Sequence, residues 1–417
     1  MASISSLVQS SKPTLVILGT GWAGWTLVQE LACSIFDFRM AEEPVRRLSL
    51  SPNVQKYQVL VQLIDLDKRT IKCTPAIGSN GDARRPSSDG LEASSFKVSY
   101  DKLVLAPGSE TNTFGTPGVL EHCYIMKSVS DAMKLREKIL DCLELASLPT
   151  CSEDQKRDLL HFAIVGGGPT GVELAAEIDE LVHRHLGNLY SRLKDHVTVS
   201  VYDVADRLLG SFGENLSEYA MERFRRRNVK IRTSMHIEGF EKGVMKVKED
   251  GEVGFGLCVW AAGNKACELV ENLEVLKSES GMERILTDDH LRVLLPSKSK
   301  ASPPSPSEGV YALGDAADIK EGSLPTTAEV AVQKAEWLAK YLSGKTSEPF
   351  RYQKKALVAY IGRGDGVVEG KSDWTGTSAW LAWRSGNLEW ARSWRRRAMI
   401  WVYWVLNWSD GREVARR

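Results

Sequence analysis

An α/β chain with one sheet domain inserted into another is predicted by three features of this 417-residue sequence. Two short apolar runs each end in a glycine cluster and lead into a helix-patterned stretch, and a third, far downstream, closes on Gly-Asp. A buried parallel strand reads as a near-continuous apolar run, and a strand that passes through glycine into a helix opens a βαβ unit.

The first run, Leu15 to Leu18, precedes a helical pattern over residues 22–31. Residues 79–95, rich in Gly, Ser and Asp, predict an exposed loop. Leu103-Val104-Leu105 is a further strand closing on Ala106-Pro107-Gly108. The second glycine-ended run, His161 to Val165, leads into a helix expected over residues 171–189, and residues 197–203 form an apolar strand ending in Asp203. The Pro/Ser stretch 297–307 predicts another loop; residues 310–313 are the third buried strand and 327–342 a helix.

Composition narrows the function. With 54 basic against 54 acidic residues the chain has no excess positive charge, so nucleic acid is not an expected partner. Its length and apolar content suit two or three domains with cores of their own. The seven cysteines are scattered, with neither a metal-type CxxC nor a CxxxxC redox pair, and read as buried thiols of a reducing compartment; no metal is expected. No apolar run approaches the length of a membrane-spanning helix. Residues 1–12 are serine-rich and free of acids, yet short and poor in arginine for a transit peptide.

The glycine clusters carry chemistry. Gly19-Thr20-Gly21-Trp22-Ala23-Gly24 is a GxGxxG placed between strand and helix. The first glycine permits the turn, the second lets a pyrophosphate approach the backbone, and the third lets helix and strand pack closely. The unpaired N–H groups and positive dipole end of the helix then face the phosphates. One such motif is weak evidence, since a glycine-rich turn alone would explain it. A second copy in the same setting, Gly166-Gly167-Gly168-Pro169-Thr170-Gly171, makes two Rossmann-like dinucleotide sites the better reading. The segment Val310 to Asp318 adds a strand end, Gly314-Asp315, where a carboxylate can bind a ribityl chain. Together with Ala106 and Gly108 it describes a flavin domain split in sequence by the second dinucleotide domain.

At this point the sequence resembles the type II NADH:quinone oxidoreductases, the alternative NADH dehydrogenases of mitochondria and bacteria, most closely the fungal mitochondrial type. The resemblance rests on both glycine motifs, residues 113–119, Trp260-Ala261-Ala262-Gly263-Asn264, the Gly314-Asp315 strand end and Trp380-Leu381-Ala382-Trp383-Arg384-Ser385. It implies FAD held by Gly19, Thr20, Gly21, Trp22, Ala23, Gly24, Ala106, Gly108, Gly314 and Asp315. NADH would be held by Gly166, Gly168, Pro169, Thr170, Gly171, Glu173, Asp203 and Gly263. It also implies a ubiquinone acceptor and a peripheral place on the mitochondrial inner membrane. Catalytic roles are implied for Glu173, near the nicotinamide, and for Glu329 and Gln333 on the quinone side. Without the resemblance, Glu173 is an acid favouring a helix N-terminus, and Glu329 and Gln333 an exposed pair at helical spacing. Asp203 at a strand end would repel a 2′-phosphate and favour NADH, an exclusion weakened by the nearby Arg207.

Two departures stand out. The family carries a segment of roughly thirty residues between Leu31 and Ala32, including the strand whose terminal acid binds the FAD ribose, and this chain lacks it. A flavin-deficient binding protein of the same fold is therefore the alternative function, and a flavin reductase with a non-quinone acceptor another. The family's alanine-glutamine pair is here Ala328-Glu329.

Eight of the twelve tryptophans lie from Trp374 onward. Trp380, Trp383, Trp390, Trp394, Trp401, Trp404 and Trp408 recur at helical spacing among Arg384, Arg392, Arg395, Arg396 and Arg397, which predicts helices lying on an anionic membrane. The same pattern fits a tryptophan-rich core or a homodimer seam. The expected domains are residues 1–155 and 286–345 for FAD, 156–285 for NADH and 346–417 for membrane association.

Overall fold

The structure, a computed structural model, describes residues 13–19, 21–23, 26–27, 55–76, 95–186, 189–227, 229–297, 303–390 and 394–409. Residues 79–94 of the expected loop, and the junction of Leu31 with Ala32, lie outside the described residues. The chain divides into two compact units. The first ends at Glu110 and resumes over Asn264–Lys354; the second holds Thr111–Gly263 and the described residues from Lys355 onward.

The first unit is built on a six-stranded sheet in the order Leu15–Leu18, Lys102–Leu105, Ser305–Ala312, Arg292–Leu295, Ile285–Thr287, Ala317–Ile319. The first three strands are parallel, with Ile17 opposite Val104 and Val104 opposite Tyr311. Leu103, Val104 and Leu105 are buried on both faces, which is why the run has no polar residue after Lys102. The strand Ser305–Ala312 starts inside the stretch expected to be loop, because Ser305 and Pro306 pair antiparallel with Leu295 and Leu294. Helix Ala328–Leu342, capped by Thr327, lays Val330, Ala331, Ala335, Leu338 and Ala339 inward. Among the described residues Leu15–Leu18 has one neighbouring strand, and all four of its residues are only half-buried.

The second unit has a five-stranded, fully parallel sheet in the order Lys230–Arg232, Thr198–Tyr202, His161–Val165, Leu257–Trp260, Tyr124–Ile125. Helix Val129–Ser147 opens on a Ser128/Asp131 capping box and buries Leu135, Ile139, Cys142, Leu143 and Ala146, one face at helical spacing. Helix Pro169–Glu180 passes into a π-helical stretch, Leu181–Leu186, so the regular helix is shorter than expected.

The strands Leu357–Gly362 and Asp365–Glu369 form a hairpin whose Ala359, Tyr360, Ile361 and Val367 join the core of this second unit with Val172, Ala175 and Ala176. Arg227 donates to the carbonyls of Ile361 and Gly362 near the turn. Helix Thr377–Trp390 follows, and Trp380 and Trp383 pack against the same core. These two tryptophans therefore depart from the single surface stripe expected from spacing: apolar area on the hairpin takes them first. In helix Trp394–Ser409, by contrast, Trp394, Trp401, Val402, Val405 and Leu406 are exposed.

Candidate functional site

In the first unit three loops meet at the carboxyl ends of three adjacent parallel strands, where open α/β sheets bind ligands. Gly19 has φ 99°, and a Cβ there would lie 2.0 Å from the Ala106 carbonyl oxygen, so only glycine fits. The Ala106 N–H in turn donates to Leu18 O at 2.8 Å. Around Gly21 and Gly108, by contrast, an added Cβ would meet none of the described residues within 4 Å, which leaves room for a phosphate against the backbone. Ala23 is buried, and a Cβ on Gly314 would come within 3.3 Å of its methyl. Asp315 accepts from Ser109 Oγ at 3.1 Å. Trp22 is largely exposed, and Thr20 and Gly24 lie outside the described residues.

Sequence reasoning missed Lys334. It lies a turn and a half into helix Ala328–Leu342, is fully buried, and donates to Ala317 O at 3.2 Å, just past Asp315. Burial pulls its ammonium down to about 8, with Asp318 opposing. Asp318 itself is buried and held by Arg284, by Ser323 Oγ at 2.8 Å and by Leu324 N at 3.0 Å. The only hint was a lysine among the inward apolar positions of the helix.

Glu329 and Gln333 are half-buried and tied to one another. Gln333 Nε2 donates to Glu329 Oε1 at 2.6 Å and to Gln353 O at 3.0 Å, and Gln353 N donates back to Gln333 Oε1 at 3.0 Å. Among the described residues one acidic and histidine cluster has ligand-like spacing, Asp288, Asp289 and His290. Its atoms are engaged in a turn: Asp288 accepts from Arg292 Nε at 2.7 Å, while His290 pairs with Asp289 at 2.6 Å.

The second unit repeats the glycine logic. A Cβ on Gly171 would lie 1.9 Å from Gly166 O, and one on Gly166, φ 113°, 2.8 Å from the Ala261 carbonyl carbon. Gly168 caps helix Pro169–Glu180 with open space beside it, Pro169 occupies the first helical position, and Thr170 is exposed at the helix mouth. Asp203 follows strand Thr198–Tyr202, and its carboxylate accepts from the N–H of Gly167 and from that of Ala205 at 2.8 Å. Gly263, φ 70°, faces the Phe114 ring, and its carbonyl accepts from Asn112 N at 3.3 Å.

Glu173 sits in the second turn of that helix. Protein hems its carboxylate in on most sides, although one edge of the residue reaches the surface. Its Oε1 accepts from Tyr360 N at 3.1 Å and Trp383 Nε1 at 3.0 Å. Burial lifts its pKa to about 7; the two hydrogen bonds pull against that and the charge of Glu177 adds to it.

The chain matches the family described as pyridine nucleotide-disulphide oxidoreductase over residues 13–335. It is 30% identical, over 98% of its own length and 86% of the relative, to the mitochondrial internal alternative NAD(P)H-ubiquinone oxidoreductase A1 of Arabidopsis thaliana. That alignment spans 467 positions against 417 residues here, so the plant protein carries residues this chain lacks. The potato internal A1 protein is 28% identical over all of the chain and 90% of its own length. Among solved structures, NDH2 of Plasmodium falciparum in complex with NADH superposes with a TM-score of 0.83 at 21% identity, covering 97% of this chain and all of that one. By its match over most of its length and its identity along nearly all of it, the chain belongs to the pyridine nucleotide-disulphide oxidoreductases, as one of their alternative NAD(P)H-ubiquinone oxidoreductases.

Proposed function

We propose that the protein oxidises NADH and passes the electrons to a membrane quinone, with FAD held by the first unit and NADH by the second. The observation that carries this reading is the pair of glycine cradles at the carboxyl ends of parallel strands in two sheets, each tight where packing needs glycine and open where a pyrophosphate would lie. FAD, when bound, supplies the carrier that accepts a hydride and releases two electrons. The chain's own residues bind and orient. Gly21 and Gly108 admit the flavin phosphates, and Asp315 offers a carboxylate to the ribityl chain. Gly168 and Thr170 offer backbone N–H groups to the NADH pyrophosphate at a helix mouth that Pro169, itself without an N–H, sets in helical geometry, while Asp203 receives the adenosine ribose. Glu173, which burial holds near its titration point at neutral pH, can release the one proton that the overall exchange consumes, NADH, H+ and quinone giving NAD+ and quinol, and regain it from solvent. Gln333 and Glu329 would offer amide and carboxylate groups toward the quinone.

The exposed apolar face of helix Trp394–Ser409 supports docking on a membrane surface. Arg384 lies 4.9 Å from the Trp380 ring and 3.9 Å from the Trp404 ring, joining the two tail helices. No helix among the described residues is long and apolar enough to cross a membrane. The relatives carry the word mitochondrial in their names, which supports reading this surface as one that docks on the mitochondrial inner membrane.

A second reading, a flavin-poor form of the same enzyme, is favoured by the family segment that the sequence lacks between Leu31 and Ala32. Purified protein should show the flavin absorbance band and reduce a short-chain ubiquinone with NADH. Protein without that band favours the second reading. Protein with full flavin that reduces only a non-quinone acceptor removes the quinone assignment.

A further inference from the structure

The tail helix Thr377–Trp390 reaches a single atom of Glu173. Both donors that meet this carboxylate, the backbone N–H of Tyr360 and the indole N–H of Trp383, converge on Oε1, and among the described residues none reaches Oε2. The two donors are locked to each other: the rings of Tyr360 and Trp383 stack with centroids 4.7 Å apart and planes 19° apart. Tyr360 is fixed in turn, its hydroxyl donating to the buried Glu180 on the same helix as Glu173. An oxygen that already accepts two hydrogen bonds is a poor place for a proton, because protonation would set O–H against N–H.

We propose that Trp383 and Tyr360 are positioning residues that hold Glu173 by one oxygen and so reserve its other oxygen, Oε2, for the proton. This rests on the reading of Glu173 as a proton-exchanging group and adds to it which atom exchanges and which side chains decide that.

The surrounding charges leave the two donors in control. On its own helix Glu173 faces Glu177, which disfavours its charge. Asp179 is paired with Arg363 and His183, and Glu180 with Arg184. In the hairpin Asp365 is paired with Arg223. Arg384 of the tail helix lies over tryptophan rings. The strands beneath, His161–Val165 and Thr198–Tyr202, turn Phe162, Ile164, Val199 and Val201 to the shared core, while His161 is spent on Gly254 O and Ser200 and Tyr202 packs in a separate cluster.

The test uses full-length, flavin-loaded enzyme. Trp383→Phe keeps a ring on Tyr360 and removes the N–H; benzothienyl-alanine at position 383 does the same at nearly the indole's shape, should the phenylalanine variant fail to fold. Losing a donor to the charged form should move the titration of Glu173 upward by about one pH unit, the size of one hydrogen bond to a charged group. Two readouts report it: the pH profile of kcat, and the infrared carboxyl band that disappears in Glu173→Gln. An upward shift of the band in either variant supports the proposal. An unmoved band overturns it, even where Glu173→Gln flattens the pH profile and so upholds the role of Glu173. If Glu173→Gln leaves rate and profile intact, the proton-exchange reading fails, and the band still decides whether Trp383 positions the carboxylate.

Discussion

Replacing Asp203 by alanine separates the loop contacts that this carboxylate makes from the ribose-reading role proposed for it. The side chain accepts from the N–H of Gly167 and of Ala205, so it braces the glycine loop. At the end of strand Thr198–Tyr202 it also stands where an adenosine ribose would be read. The bracing bonds serve NADH and NADPH alike. A hydrogen bond to a charged group contributes about 1.5–3 kcal/mol, so Asp203→Ala should weaken both nucleotides by roughly tenfold to a hundredfold. The ribose role differs between them, because a carboxylate facing a 2′-phosphate repels it by about 1–3 kcal/mol after solvent screening. Only NADPH is relieved of that. The ratio of kcat/KM for NADH over NADPH should therefore fall by roughly tenfold or more, while both absolute values drop. Steady-state kinetics with the two nucleotides at fixed quinone measures the ratio. Equal losses for both, with the ratio unchanged, would refute the ribose role and leave Asp203 as a loop brace.

Truncation just before Trp394 should release the protein from anionic vesicles in a sedimentation assay without lowering its melting temperature, because Trp380 and Trp383 remain on the core; equal pelleting of both forms would reassign the exposed face of the last helix. Inserting a family-like strand segment between Leu31 and Ala32 should raise the flavin content per chain, read from the absorbance ratio, by one to two decades in affinity, since an unpartnered ribose hydroxyl costs about 1–3 kcal/mol. Stoichiometric flavin in the unaltered chain would show that other residues make those contacts. Lys334 titrates near 8 in the fold against an ordinary 10.5, so burial opposes its charged form and the native state gains stability as pH rises through that window. Lys334→Met should therefore melt higher than the parent near pH 7, with the difference shrinking toward pH 10; a variant that melts lower at every pH would mean that the bond to Ala317 O outweighs the desolvation of the ammonium.

Much of the architecture follows from local rules. Gly19, Gly166 and Gly171 were legible because a Cβ at each would strike backbone, a constraint that forces one residue type and so leaves a pattern in sequence. The buried strands were legible for a similar reason, since a strand covered on both faces tolerates only apolar residues. Asp203 could be placed because it ends such a strand. The environment of Glu173 left no such trace: its two donors lie 187 and 210 positions away, and a backbone N–H carries no residue identity. Lys334 looked like an ordinary helix lysine until the fold closed over it. The tail shows the division most plainly. Sequence determined that tryptophans recur on one side of helices, because that depends on spacing alone. Which of them meet protein was decided by the tertiary packing, in which the core that the hairpin at residues 357–369 joins takes Trp380 and Trp383 while Trp394 and Trp401 of the helix that follows stay exposed.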